Sequence, residues 1–124
     1  MLTFHTAGIS VLTTAYKDRT QNATGEFTAS AVSLDEVIER CAQDGSVGMV
    51  KIDTEGAEAD ILEGAQPQTL KAVRQFVIEY HEHLGDHALA RCERVLSHAG
   101  FRCITRPLAL NLGLLYAVPA TDNR

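Results

Sequence analysis

Val50-Lys51-Ile52-Asp53-Thr54-Glu55-Gly56-Ala57-Glu58 decides how this chain is read. An apolar run ends on an acid, a glycine follows shortly after, and Glu55 and Glu58 flank that glycine. A strand running into a loop and then a helix has this form, with carboxylates gathered at the strand's C-terminal end. Open α/β sheets bind their ligands at that end of their strands. Asp53, Glu55 and Glu58 are therefore the first candidates for chemistry.

Upstream, Ser33-Leu34-Asp35-Glu36 has the Ser-x-x-Glu form of a capping box. Leu34, Val37, Ile38, Cys41 and Ala42 follow at helical spacing, so a helix is expected from Ser33 to about Gln43, stopped by Asp44-Gly45. Residues 47–53 are expected to form a strand. Their nearly continuous apolar character suits a strand covered on both faces, as in parallel sheets. Lys51 interrupts the run, and a buried lysine there calls for an acid on a neighbouring strand.

Downstream, residues 57–63 read as a helix with Gly64 as its stop. Pro67 marks a break followed by a short helical turn. Residues 74–80 read as a strand that again ends beside an acid, Glu79. Ala88, Leu89, Cys92, Val95, Leu96 and Ala99 form a further helical stripe closed by Gly100. Residues 101–105 and 112–118 are the last strands, joined by a loop containing Pro107. Before residue 33, residues 9–16 read as a strand, 17–26 as a loop and 27–32 as a short strand.

From residue 33 the order is helix, strand, helix, strand, helix, strand, strand. Alternation of this kind calls for an α/β fold with a parallel sheet. The last strand has no intervening helix, so it returns antiparallel beside its predecessor. The organisation is an N-terminal segment 1–32, an α/β region 33–118 and a tail 119–124.

Composition narrows the function. The net charge is -5, with 16 acids against 11 basic residues, and the basic residues form no run. Phosphate-backbone binding needs clustered Lys and Arg, so nucleic acid is not an expected partner. No apolar stretch approaches the roughly 20 residues of a membrane-spanning helix, and no basic segment precedes an apolar core in the manner of a signal peptide. Three cysteines, with no C-x-x-C spacing, read as reduced thiols of a cytoplasmic protein. Cys41 and Cys92 fall on apolar helix faces and are expected to be buried.

A second group of candidates, Glu79, Tyr80 and His81, ends the 74–80 strand. Strand alternation sends Glu79 and His81 to one face and Tyr80 to the other. An imidazole with an ordinary pKa near 6.5 suits general-base work; the plainer reading is a satisfied structural histidine. Acids crowded in one cleft raise each other's pKa, which equips one of them to take a proton from a hydroxyl. The plainer role for Glu55 and Glu58 is to complement the helix dipole. The same oxygens offer ligands to a hard cation such as Mg²⁺, but the spacing does not call for one. His81, Glu82, His83 and His87 match no strong zinc pattern, so no metal site is assigned.

Ser33-Leu34-Asp35-Glu36-Val37, Lys51-Ile52-Asp53-Thr54-Glu55-Gly56-Ala57-Glu58, Leu62-Glu63-Gly64-Ala65, Val77-Ile78-Glu79-Tyr80-His81 and Gly100-Phe101 follow one another in order. In sequence and spacing they closely resemble the FkbM family of S-adenosylmethionine-dependent methyltransferases, over roughly residues 28–118. The resemblance implies a partial Rossmann-like class I methyltransferase sheet, parallel strands ending in an antiparallel one. It implies S-adenosylmethionine as cofactor and the hydroxyl of a sugar or small metabolite as methyl acceptor. Asp53, Glu55 and His81 become the catalytic candidates, Asp53 also the cofactor contact, and Glu58 and Glu79 the substrate contacts.

The departure is equally specific. Such enzymes begin with a strand and a Gly-rich turn for the cofactor, and the nine glycines here are dispersed without a G-x-G opening a helix. The chain resembles the C-terminal half of the domain. Either the cofactor half is supplied elsewhere, or the chain is an inactive remnant acting at most as a binding module. Without its usual neighbour, the 47–53 strand exposes an apolar edge that invites pairing with a second copy.

Overall fold

The strand Val50–Ile52 stands at one edge of a four-stranded mixed sheet, and the order of that sheet explains where the acids gather. The structure is a computed structural model that describes residues 1–6, 13–14, 25–84 and 86–121. In chain order the elements are β1 (Leu2–Thr6), β2 (Thr13–Thr14), β3 (Gly25–Ala29), α1 (Leu34–Cys41), β4 (Val50–Ile52), α2 (Glu58–Glu63), α3 (Pro67–Lys71), β5 (Phe76–His81), α4 (Ala88–His98), β6 (Phe101–Ala109) and β7 (Leu112–Pro119).

The larger sheet runs β4-β5-β7-β6. β4 and β5 are parallel, with Ile52 opposite Ile78. β7 returns antiparallel to both β5 and β6 and lies between them. The expected antiparallel ending is present, and the hairpin's second strand enters the sheet ahead of its first. The smaller sheet is antiparallel, in the order β2-β1-β3.

The N-terminal reading needs correction. β1 lies where no strand was expected, and the strand placed at residues 27–32 falls at Gly25–Ala29 instead. Of the strand placed at residues 9–16, Thr13–Thr14 is β2 and the remainder lies outside the described residues. Pairing partners decide such short strands, and the pairing of β1 with β3 joins Leu2 to Ala29 across the intervening chain.

Helix α1 starts as its sequence dictates. The Ser33 hydroxyl accepts from the Glu36 amide at 3.2 Å, and the Glu36 carboxylate accepts from the Ser33 amide at 2.9 Å. A cap of this kind stabilises by about 1 kcal/mol. Helix α4 has His87 at its N-cap with no side-chain cap bond. Glu82 takes over, accepting from the Leu89 amide at 2.7 Å, and Gly100 closes the helix at φ 90°.

The core lies between the sheet and the apolar faces of the helices. Phe76, Ile78 and Tyr80 are buried on one face of β5, opposite Ala117, Leu115 and Gly113 of β7. The two aromatic rings thus face small residues across the pair, while Ile78 faces Leu115. Gly113 is required there, because a methyl group would run into the Tyr80 hydroxyl. Cys92 and Leu96 of α4 and Leu62 of α2 complete the packing, and Phe76 meets Phe101 edge-on at 5.3 Å. Each fully buried large side chain stabilises by roughly 1.5–3 kcal/mol.

Three expectations are overturned. β4 is not covered on both faces: Met49, just before it, is exposed, and Lys51 is 58% exposed with its ammonium 3.7 Å from Asp53, just past the same strand. Lys51 therefore needs no buried partner. Cys41 is exposed rather than buried, while burial pushes the Cys92 thiol up to about 12. Pro107 lies within β6, at the bulge between Pro107 and Ala109, and the connection to β7 is a turn at Leu110-Asn111. No helix among the described residues is long and apolar enough to cross a membrane.

Candidate active site

The parallel register that sets Ile52 beside Ile78 brings the residues after them together. Asp53 leaves β4 where Glu79 and His81 leave β5, so acids from separate motifs converge at adjacent strand ends. One side-chain atom from each of Asp53, Glu79 and His81 lies within 4.8 Å of the others.

The β4–α2 loop folds over this point. Glu55 adopts φ 51° and Gly56 φ 109°. Left-handed backbone at a non-glycine residue costs roughly 1–3 kcal/mol and persists only where surroundings impose it. The next residue is tightly packed: a Cβ on Gly56 would stand 2.9 Å from the Leu84 Cβ and carbonyl oxygen. The glycine permits the loop to close on the β5–α4 connection.

Glu58 locks the loop. Its side chain is 0% exposed, and Oε1 accepts from the Gly56 amide at 3.0 Å, the Thr54 amide at 3.2 Å and the Thr54 hydroxyl at 3.3 Å. The same oxygen accepts from Nδ1 of His81 at 3.0 Å, while Oε2 has no hydrogen-bond partner. Burial opposes the charge on Glu58, but the His81 and Gly56 hydrogen bonds outweigh it and hold the carboxyl below its ordinary range. Glu58 is thus ionised and accepts only, so Nδ1 carries the proton.

His81 is 4% exposed and turns Nε2 toward Glu55 at 3.5 Å and Glu79 at 3.8 Å. Burial opposes its charge; the Glu58 hydrogen bond and the charges of Glu58, Glu55 and Asp53 outweigh that and raise its pKa. Glu55 moves the other way from Glu58. Burial raises its pKa, His81 pulls it down, and Asp53, Glu58 and Glu79 push it up again.

Of the candidates, Asp53, Glu55, Glu79 and His81 are brought to one place. Glu58 is also there, but it points inward rather than lining the cleft, because the first turn of α2 rotates it beneath the loop. Thr54 was missed; its place four residues before Glu58, at a helix start, is the signal that was available. Among the remaining histidines, His83 and His87 are exposed, as a solvated loop predicts.

The pair's dependence on pH follows from its two shifts. Glu58's contribution to stability is complete above its ordinary 4.5 and is lost as pH falls through its lower folded value. His81's contribution is complete below its ordinary 6.5 and is lost as pH rises through its higher folded value. The pair stabilises most between those two ordinary values. In chelator-treated buffer, the melting gap between wild type and His81→Gln is expected to be widest there and to narrow at alkaline pH. A gap that is constant with pH would show that the ring's charge is not coupled to folding.

A groove of 640 Å³ adjoins the cluster along the open edge of β4. Val37, Val50, Ile52 and Ile61 supply apolar wall, and Asp53, Thr54 and Asp60 supply polar atoms. Asp53 belongs to both groove and cluster. A volume of this order suits a small organic ligand.

The fold and site define the class: a mixed α/β domain with an apolar-walled groove and a carboxylate–histidine cluster at adjacent strand ends. The model of the methyltransferase FkbM domain matches residues 2–103, and the chain belongs to that family. No curated protein and no solved structure matches it. The family assigns methyl transfer as the kind of activity.

Proposed function

We propose that the chain serves transfer of a methyl group from S-adenosylmethionine to a hydroxyl of a sugar or small metabolite. The observation that carries this reading is the position of Asp53, which lines the apolar groove and also faces Glu79 and His81. The residues present fit part of the cofactor. Val50, Ile52 and Ile61 offer apolar surface for an adenine, and Asp53 offers negative charge for a sulfonium. A Gly-rich turn for the amino-acid end has no counterpart among the described residues. When bound, the cofactor supplies an electrophilic methyl group.

Glu55 is the proton acceptor in this reading. Its raised pKa makes it a stronger base than an ordinary carboxylate, and it stays partly open to the cleft. His81, fixed by Glu58, steadies the carboxylates of Glu55 and Glu79. Its own raised pKa favours the protonated ring, which has no free site to accept a proton. Glu79 accepts a hydrogen bond from the acceptor. Most of the rate then comes from holding the hydroxyl in line, since well-oriented reactants save roughly 7–11 kcal/mol of barrier.

A second reading rests on the open edge of β4. Met49 just before β4 and Val37 of α1, across the groove, are exposed, as expected of a remnant that binds a partner and catalyses nothing. Calorimetric titration with S-adenosylhomocysteine separates the two. Saturable micromolar binding, weakened by Asp53→Asn with folding unchanged, supports the enzyme. A folded chain that binds none supports the remnant.

A further inference from the structure

We propose that Asp53, Glu79 and His81 form a binding site for a divalent first-row transition metal ion. The proposal stands whether or not the chain transfers methyl groups.

The ligand atoms come from two adjacent strand ends and lie within 4.8 Å of one another. Ligand atoms held about 2.0–2.2 Å from one ion stand about 3.0–3.5 Å apart, so the side chains would close by up to roughly 1–2 Å by rotamer adjustment at the partly exposed carboxylates to complete the site. The set is an imidazole and two carboxylates, which suits Mn²⁺ or Zn²⁺ better than Mg²⁺ or Ca²⁺, whose ligands are oxygens.

The independent pointer to a ligand is His81 itself. The side chain is 4% exposed, and Nε2 faces the carboxylates of Glu55 at 3.5 Å and Glu79 at 3.8 Å. A ring nitrogen of a buried side chain is thus aimed among carboxylates, the surroundings a cation would enter. The opposite nitrogen, Nδ1, donates to the buried Glu58 at 3.0 Å. This is the carboxylate–histidine arrangement that orients metal-ligating imidazoles and makes them more basic.

Without metal, a proton on Nε2 faces the surrounding acids. A metal ion displaces that proton and takes its place. Asp53 and Glu79 are partly exposed and leave a path for entry. Three protein ligands leave further coordination positions open, where a hydroxyl or carboxylate of a small ligand would bind. Glu55, outside the set of three, remains beside them.

The test uses the purified chain after chelator treatment. MnCl₂ is added and free Mn²⁺ is followed by electron paramagnetic resonance, with ZnCl₂ and MgCl₂ titrated by calorimetry. One Mn²⁺ per chain is expected, bound at least about tenfold more tightly than Mg²⁺. Asp53→Asn and Glu79→Gln, at partly exposed positions that should not disturb folding, are each expected to weaken it by about tenfold or more. Spin-echo modulation from an imidazole nitrogen is expected on the bound Mn²⁺, which tests His81 without mutating a buried residue. The absence of saturable Mn²⁺ and Zn²⁺ binding would overturn the site. So would binding that survives both variants, shows no imidazole signal, or favours Mg²⁺.

Discussion

Glu58→Ala is expected to lower the stability of the domain by about 3–5 kcal/mol, the usual cost of removing one partner from a buried ion pair. The carboxylate is wholly buried and gathers donors from Thr54, Gly56 and His81 onto one oxygen. Alanine leaves the His81 Nδ1 proton and two loop amides without acceptors, and leaves the strained backbone at Glu55 without its clamp. Glu58→Gln retains the volume and one acceptor oxygen but loses the charge, so a smaller loss of about 1–3 kcal/mol is expected. Urea unfolding of the wild type and both variants at pH 6 gives the comparison. Both variants within 1 kcal/mol of wild type would mean that the loop is held by other contacts, with Leu84 against Gly56 the first to examine.

Glu55→Gln is expected to reduce methyl transfer by about 10²–10⁴-fold, the range for loss of a positioned general base. Stability should change by no more than about 0.5 kcal/mol, as at most surface positions. The side chain is partly exposed, and glutamine keeps its length. The wild-type rate is expected to rise with pH through a group titrating above the ordinary carboxylate value of 4.5, because burial and the charges of Asp53, Glu58 and Glu79 raise Glu55. Release of S-adenosylhomocysteine across a panel of sugars and small hydroxylated metabolites provides the rate. An unimpaired variant would transfer the proton-accepting role to another group and leave Glu55 as a loop residue.

Much of this site was legible because its signals are local. The capping box at Ser33 and Glu36, the apolar run ending at Asp53, and Gly56 between two acids each depend on neighbours in sequence. The same holds for the stripe from Ala88 to Ala99 and its stop at Gly100. The acids were each placed at the end of a strand, and the parallel register of β4 and β5 brings Asp53, Glu79 and His81 together. The misreadings share a different cause. Cys41 and Lys51 were placed in the interior because periodicity reports which residues share a face, not whether anything covers that face. β1 was missed because its pairing partner lies a loop away.

The sequence by itself determined the alternation of helices and strands, the acids at the strand ends and membership of the FkbM methyltransferase family. Only the tertiary structure decided that β7 enters the sheet between β5 and β6, that β4 stands at an open edge beside a groove, and that Glu58 turns inward to His81. Sheet order and burial are settled by contacts between segments distant in the chain. Glu58 and His81 are 23 residues apart, and no local pattern records which nitrogen of that ring meets a carboxylate and which faces the cleft.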